Sequence, residues 1–352
     1  MDLRIENLNI DSETEIVHPD QIKAEYPLTP GAVETVMAGQ RTIKNILDGT
    51  DPRMFVVVGP CSIHDVNAAR EYAQKLKTLA DEVQETLFLI MRVYFEKPRT
   101  SVGWQGLIAD PSLDDSYNIE EGIRVARELL IDIADLGVPT AGEALDLVTP
   151  QYIQDLFSWT AIGARTTESQ THRKMASGFS SSVGFKNGTN GDYDVAINAI
   201  LAAAHENNFV SINPQGNVAI VRTKGNPHSH IVLRGGHSGP NYNAKHIAAC
   251  EKQLGHAGLP QNIMIDCSHA NSHKVPDNQL LVIDDVAQQI KDGNQSIKGI
   301  MIESNLNAGN QNIPKDLSEL VYGVSVTDAC IDWASTETAL KDLHNKLKGV
   351  RS

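Results

Sequence analysis

Little in this chain suggests a fold held by covalent cross-links. Its 352 residues contain four cysteines, Cys61, Cys250, Cys267 and Cys330, far apart and without a CxxC pair. That excludes a disulfide framework and suits a reducing compartment, the cytoplasm by default. Long apolar runs are missing too: nowhere do about 18 apolar residues follow one another. The N-terminal MDLRIENLNIDSETEIVHPD is charged throughout, with no apolar core and no cleavage pattern. Neither a membrane span nor a secretory signal is expected. Lys plus Arg number 30 against 44 Asp plus Glu, a formal charge of −14. So acidic a chain is not built to wrap nucleic acid or anionic lipid, and any basic cluster must be local.

The composition, 41% hydrophobic and 21% charged with 26 Gly and 15 Pro, is that of an ordinary globular protein. Along it, short apolar, β-branched runs alternate with amphipathic stretches. The apolar runs fall at 54–62, 87–94, 138–145, 160–165, 183–188, 229–236, 263–269 and 297–304. Helical patterns fall at 65–84, 119–136, 149–157, 170–178, 192–206, 243–257, 277–292 and 334–348. In the second of these, Ile123, Ala126, Leu130 and Ile133 make one stripe opposite the charges. Near-continuous apolar strands alternating with helices are what a parallel sheet covered by helices requires, and eight units predict an α/β fold, a (β/α)₈ barrel. A barrel takes roughly 250 residues, which leaves an extension. The chain therefore divides into an arm and helix at 1–50, the helix at about 31–48, and a barrel at 51–352. Within the barrel, FVSINPQGNVAIVRT (209–223) reads as an inserted β-hairpin turning at Pro214 to Asn217. Such extra elements are expected to serve assembly or regulation.

The active face of such a barrel is built from the C-terminal ends of its strands and the loops that follow. Here those ends carry Cys61, Arg92, Glu143, Arg165, Lys186, Arg234, His269 and Glu303, and the loop after the last strand brings Asp328. Arg92, Arg165, Lys186 and Arg234, with Lys97 and Arg99 in FEKPRTSVGW, are cations that would repel one another at one mouth unless a multiply charged anion sits there. A phosphorylated substrate fits; the plainer reading makes each a surface cation with a local carboxylate. Cys61, His269, Glu303 and Asp328 offer one sulfur, one imidazole and two carboxylates, a donor set suited to Mn²⁺, Fe²⁺, Co²⁺ or Zn²⁺ rather than Mg²⁺ or Ca²⁺. No compact ligand spacing supports it, and a lone buried cysteine is usually a small core residue. Gly-rich turns at VVVGPCS, VGFKNGT and LRGGHSG would let backbone N–H groups approach a phosphate, although glycine there can equally serve a sharp strand exit.

GPCSIHD (59–65), MRVYFEKPRTSVGWQGLI (91–108), IGARTTESQTHR (162–173), VGFKNGT (183–189), IVLRGG (231–236), DCSHAN (266–271), MIESN (301–305) and SVTDACI (325–331) together closely resemble the type I, feedback-regulated 3-deoxy-D-arabino-heptulosonate 7-phosphate (DAHP) synthases. The resemblance runs from about 15 to 348. It implies a transferase of the shikimate pathway that condenses phosphoenolpyruvate with erythrose 4-phosphate and releases phosphate. It also implies metal ligands at Cys61, His269, Glu303 and Asp328, and a phosphoenolpyruvate site at Arg92, Lys97, Glu143, Ala164, Arg165, Lys186 and Arg234. The erythrose 4-phosphate site would be Lys97, Pro98, Arg99 and Thr100. Cys61, Lys97, Glu143 and His269 are expected to take part in catalysis, Lys97 by moving a proton at the aldehyde oxygen and Glu143 by positioning water. Three alternatives stay open: a 3-deoxy-D-manno-octulosonate 8-phosphate synthase-like enzyme, a Schiff-base aldolase using Lys186, and a non-catalytic anion-binding barrel that would bind phosphoenolpyruvate yet release no phosphate.

The same resemblance implies an aromatic amino acid effector, phenylalanine or tyrosine, at Leu147, Pro150, Gln151, Met175, Phe179, Ser180, Phe209, Ser211 and Val221. Read from periodicity alone, these residues would simply pack the hairpin onto the barrel. Ile16, Val17, Ile22, Tyr26 and Leu28 in the arm have little of their own to pack on, so the arm is expected to reach a neighbouring copy in a homodimer or homotetramer.

Overall fold

The computed structural model describes residues 5–98 and 102–350. Its strands are β1 (Met54–Gly59), β2 (Leu87–Arg92), β3 (Thr140–Glu143), β4 (Trp159–Ile162), β5 (Ser182–Lys186), β6 (Asn208–Ile212), β7 (Val218–Arg222), β8 (Ser229–Leu233), β9 (Ile263–Asp266) and β10 (Ile297–Glu303). All but β6 and β7 are parallel and close a barrel in the order β1, β2, β3, β4, β5, β8, β9, β10, with β1 paired to both β2 and β10. The expected (β/α)₈ barrel is what forms. β6 and β7 are the inserted antiparallel hairpin, with Val210 opposite Ile220.

The helices are α1 (Pro19–Glu25), α2 (Pro30–Asp48), α3 (Val66–Val83), α4 (Ile119–Asp135), α5 (Pro150–Ile153, continued by a 3₁₀ turn at Gln154–Leu156), α6 (Gln170–Ala176), α7 (Asp194–Ala204), α8 (Ala244–His256), α9 (Asn278–Lys291) and α10 (Trp333–Leu347). Side chains that cap free backbone N–H groups start several of them: Asp65 for α3, Asn118 for α4, Asn243 for α8 and Asp332 for α10. The stripe read from the α4 sequence, Ile123, Ala126, Leu130 and Ile133, is buried.

Two apolar layers hold this arrangement. One lies between the strands and the surrounding helices. The other fills the barrel with Phe55, Val57, Ile90, Trp159, Val232, Met264 and Met301, and α2 adds Ile43, Ile46 and Leu47 to it. So α2 closes the N-terminal floor of the barrel, a packing task that its sequence did not disclose.

The arm departs from expectation. Ile22 is fully buried against its own chain, and Val17, Tyr26 and Leu28 pack on the same core. Tyr152 Oη donates to the Val17 carbonyl at 2.8 Å, and the Asp20 amide donates to the Pro214 carbonyl of the hairpin turn at 2.9 Å. Among the described residues before α1, the large apolar side chains that stay exposed are Ile5, Leu8, Ile10 and Ile16. Among the described residues, no helix is long and apolar enough to cross a membrane.

Candidate active site

The strands end earlier than the apolar runs suggested, because the last residues of each run leave the ladder to form the barrel mouth. Arg92, Glu143, Lys186 and Glu303 are the final residues of β2, β3, β5 and β10, while Cys61, Arg165, Arg234 and His269 stand in the loops just beyond. One cavity of about 340 Å³ opens there. The cations Arg92, Lys97, Arg165, Lys186 and Arg234 line it, as do Pro98, Glu143, Ala164, His269 and Asp328. Arg99 and Thr100 lie outside the described residues.

Three of the four sequence-predicted metal donors come together: the Cys61 sulfur and carboxylate oxygens of Glu303 and Asp328 lie within 4.8 Å of one another. Soft sulfur beside hard oxygen fits a divalent transition ion. His269 lines the same cavity but is not part of that tight group. Its Nδ1 is held 3.0 Å from an Asp266 carboxylate oxygen and 2.7 Å from Ser268 Oγ, which leaves Nε2 as the nitrogen available to a ligand. Burial, and then Glu303, push the Cys61 thiol up, while Lys97 and Arg92 pull it down. A cation bound to the sulfur would favour the thiolate outright.

The cations are built in, not loosely attached. Arg92 is buried; its Nε donates to the Pro60 carbonyl at 3.1 Å and its Nη2 to the Cys61 carbonyl and to Glu303, each at 3.1 Å. The Tyr94 ring lies 3.5 Å beneath its guanidinium. Lys186 Nζ donates to Asp266 at 2.9 Å, and Lys97 Nζ to Cys61 Sγ at 3.1 Å. For Lys97, burial works against the charge, yet Cys61 and the carboxylates Glu303 and Glu143 outweigh it and hold its pKa above the ordinary value. Arg234 is set by its backbone: its amide donates to Asn187 Oδ1 at 2.8 Å, and Gly235 donates to Asn241 Oδ1 at 2.7 Å in a left-handed conformation (φ 75°). A Cβ on Gly163 would stand 2.2 Å from Glu143 Oε1, so a side chain there would push the carboxylate from its present position. A mouth with several oriented cations beside a three-donor group can hold polyanions against a metal ion.

Sequence reasoning missed Asp266, although its signal was there: an aspartate in the otherwise apolar run IMIDCSH. It is fully buried, and although burial raises a carboxyl pKa, His269 and Lys186 outweigh this and hold it well below the usual carboxylate range. One group thus orients both a predicted ligand and a predicted substrate cation. Glu96, beside Lys97, was missed as well. Burial first, and Asp146 second, push its pKa up to about 8, so it is protonated at neutral pH, and Thr149 Oγ1 donates to it at 3.1 Å. A folded value above the ordinary 4.5 means that the folded state holds this proton more tightly, so the stability it gives is complete below that value and is lost as pH rises through about 8. Glu96→Gln should therefore flatten the fall in melting temperature between about pH 5 and 9. Thermal unfolding scans across that range check it; an unchanged slope counts against a neutral Glu96.

The predicted effector positions fall into two neighbouring groups. Pro150, Gln151, Phe179 and Ser180 line a cavity of about 410 Å³ whose other wall is Leu28, Val33, Val36, Met37 and Gln40. Phe209 and Val221 are paired on the half-buried face of the hairpin, with Ser211 also half-buried on β6. Met175 is buried on α6, the helix against which β6 packs. Leu147 is exposed.

Residues 25–341 match the DAHP synthetase I family. Among curated relatives, a Tyr-sensitive phospho-2-dehydro-3-deoxyheptonate aldolase of Salmonella typhimurium is 53% identical over 345 residues, 98% of this chain and 97% of its own. A Phe-sensitive one of Escherichia coli is 51% identical over the whole of both chains. Among solved structures, a phospho-2-dehydro-3-deoxyheptonate aldolase from Francisella tularensis superposes with a TM-score of 0.95 at 48% identity, covering 98% of this chain and 100% of that one.

Proposed function

The chain belongs to the DAHP synthetase I family, and from that premise we propose that its barrel mouth condenses phosphoenolpyruvate with erythrose 4-phosphate to 3-deoxy-D-arabino-heptulosonate 7-phosphate and phosphate. This is the first step of the shikimate pathway, here in the cytoplasm, a compartment that suits four buried free thiols. The observation that carries it is a cavity lined by convergent cations and by Asp328, the latter grouped with the buried donors Cys61 and Glu303, which Lys97 and Arg92 contact.

Arg92, Arg165, Lys186 and Arg234 hold the phosphate and carboxylate of phosphoenolpyruvate, with Ala164 against it, and Lys97, Pro98, Arg99 and Thr100 receive the second substrate. Holding two anions that otherwise repel each other is most of the work. Cys61, His269, Glu303 and Asp328 hold a divalent ion, Mn²⁺, Fe²⁺, Co²⁺ or Zn²⁺, which supplies a Lewis acid for the aldehyde oxygen when bound. Lys97, whose ammonium sits against Cys61, gives a proton to the oxygen that becomes an alkoxide as C3 of phosphoenolpyruvate bonds to the aldehyde carbon. Glu143 positions the water that adds at C2, and loss of phosphate then makes the sequence irreversible. Lys97→Met should lower turnover by at least about 100-fold; turnover within a few-fold of the parent protein would remove this role.

The reading is tested by mixing the protein with phosphoenolpyruvate and either erythrose 4-phosphate or arabinose 5-phosphate, then measuring phosphate and the product's mass. Release with the four-carbon aldose and not the five-carbon one supports it. The reverse preference points to the octulosonate synthase. Lys186 is engaged by Asp266 and does not stand free for a carbonyl, so borohydride in the presence of substrate should trap no adduct.

Regulation by an aromatic amino acid follows the names of the relatives, which include both Tyr-sensitive and Phe-sensitive enzymes at similar identity. Pro150, Gln151, Phe179 and Ser180, with Met175 and the hairpin residues Phe209, Ser211 and Val221 beside them and Leu147 at the edge, form its receptor. Ser211, half-buried on β6, is the side chain that in this reading would fill the space of a tyrosine hydroxyl, which favours phenylalanine. Calorimetric titration with each aromatic amino acid identifies the effector. The exposed Ile5, Leu8, Ile10 and Ile16, together with Val210, Val218 and Ile220 on the outer face of the hairpin, are the apolar surface for a homodimer or homotetramer.

A further inference from the structure

The loop after β9 is strained in a way that the ligand role of His269 does not explain. His269, His273 and Lys274 all have positive φ, 57°, 53° and 60°, a conformation that non-glycine side chains rarely adopt. The turn is nevertheless closed by backbone hydrogen bonds from Lys274 to the His269 carbonyl at 2.8 Å and from His273 to the Ala270 carbonyl at 3.2 Å. Its effect is to carry Lys274 to the wall of the active cavity, beside Thr327 and Asp328. Strain of this kind persists where the surroundings enforce it, and an observed outlier at a cavity wall is grounds for asking what it positions.

Lys274 differs from Arg92 and Lys186 deeper in the mouth. Arg92 is neutralised by Glu303 and Lys186 by Asp266. The Lys274 ammonium has no hydrogen bond or close ion pair with any described residue, although its charge reaches Asp328, and its side chain is exposed. It lines the cavity together with Asp328, whose carboxyl its charge helps to hold below the ordinary value. An exposed cation on the cavity wall, with no carboxylate at hydrogen-bonding distance, is placed to meet the second anion as it enters.

We propose that Lys274 is a substrate-binding residue that takes the phosphate of the aldose phosphate at the cavity wall. This rests on the condensation reading above. Three single variants separate charge from backbone. Lys274→Asn removes the charge with a residue that tolerates positive φ, Lys274→Arg keeps the charge, and Lys274→Gly removes both side chain and strain. A charge-assisted contact with phosphate corresponds to roughly ten- to a hundredfold in affinity. KM for erythrose 4-phosphate should rise by about that factor in the Asn and Gly variants, with KM for phosphoenolpyruvate within about twofold and the Arg variant close to the parent protein. The decisive readout uses erythrose without its phosphate: the Asn and parent proteins should then turn over at equal kcat/KM, because the contact under test is gone. If the Asn variant keeps the parent KM for erythrose 4-phosphate, or loses equally with both aldoses, Lys274 does not bind the phosphate. Failure of the underlying reading looks different, since the parent protein itself would then release no phosphate from the two substrates.

Discussion

Asp266→Asn is expected to lower metal affinity by about 10- to 100-fold and turnover by more than that, without loss of the fold. The carboxylate holds His269 Nδ1 at 3.0 Å and Lys186 Nζ at 2.9 Å. An asparagine has one acceptor oxygen and no charge, so it cannot fix the imidazole tautomer and neutralise the lysine at once. His269 would then present Nε2 less consistently, and the buried Lys186 charge would lose its partner. Competition against a chelator of known affinity gives the first quantity, phosphate release at saturating Mn²⁺ the second, and far-ultraviolet circular dichroism the fold. If excess metal restored full turnover, Asp266 would matter only for holding the ion. If metal affinity stayed unchanged, its link to His269 would carry no weight.

Lys186→Met is the second large effect, and it appears in stability as well as activity. The pair is almost completely shielded from water, with side chains 6% and 0% exposed. Removing one partner of a buried pair typically costs about 3–5 kcal/mol because it leaves an uncompensated charge. Since His269 still faces Asp266, the low end of that range is expected. Adding Asp266→Asn should recover part of the lost stability and none of the activity, which separates the electrostatic cost from the catalytic one. Urea unfolding of the parent, the two single variants and the double variant measures it; additive losses would mean that the two groups do not act as a pair.

The barrel was legible because its strands are buried on both faces and so read as unbroken apolar runs, while α4 shows a clean 3.6-residue stripe. The boundaries were less so. The runs at 54–62 and 263–269 continue past β1 and β9 because buried loop residues such as Cys61 and Cys267 are as apolar as the strands themselves. α1 is seven residues long and gave too short a pattern to see. The arm misled for a related reason: Ile22 and Leu28 have no partners near them in sequence, and their cover is brought by distant elements. At the site, the residue types at strand ends were enough to name the cations and donors. What they could not give was pairing, which depends on neighbouring strands: Asp266 reaches Lys186 across 80 positions and Arg92 reaches Glu303 across 211. Backbone strain at Lys274 is likewise invisible in a sequence that places no glycine there.

The most direct test of the account is phosphate release from phosphoenolpyruvate on adding erythrose 4-phosphate, in the parent protein and in Cys61→Ser, before chelation, after it and after Mn²⁺ is restored. The account predicts that release needs both substrates, disappears on chelation and returns with Mn²⁺ in the parent protein, while Cys61→Ser recovers little at the same metal concentration. Release that persists in chelator, or that Cys61→Ser regains in full, would contradict the assignment of Cys61, Glu303, Asp328 and His269 as the ligands of a metal the reaction requires.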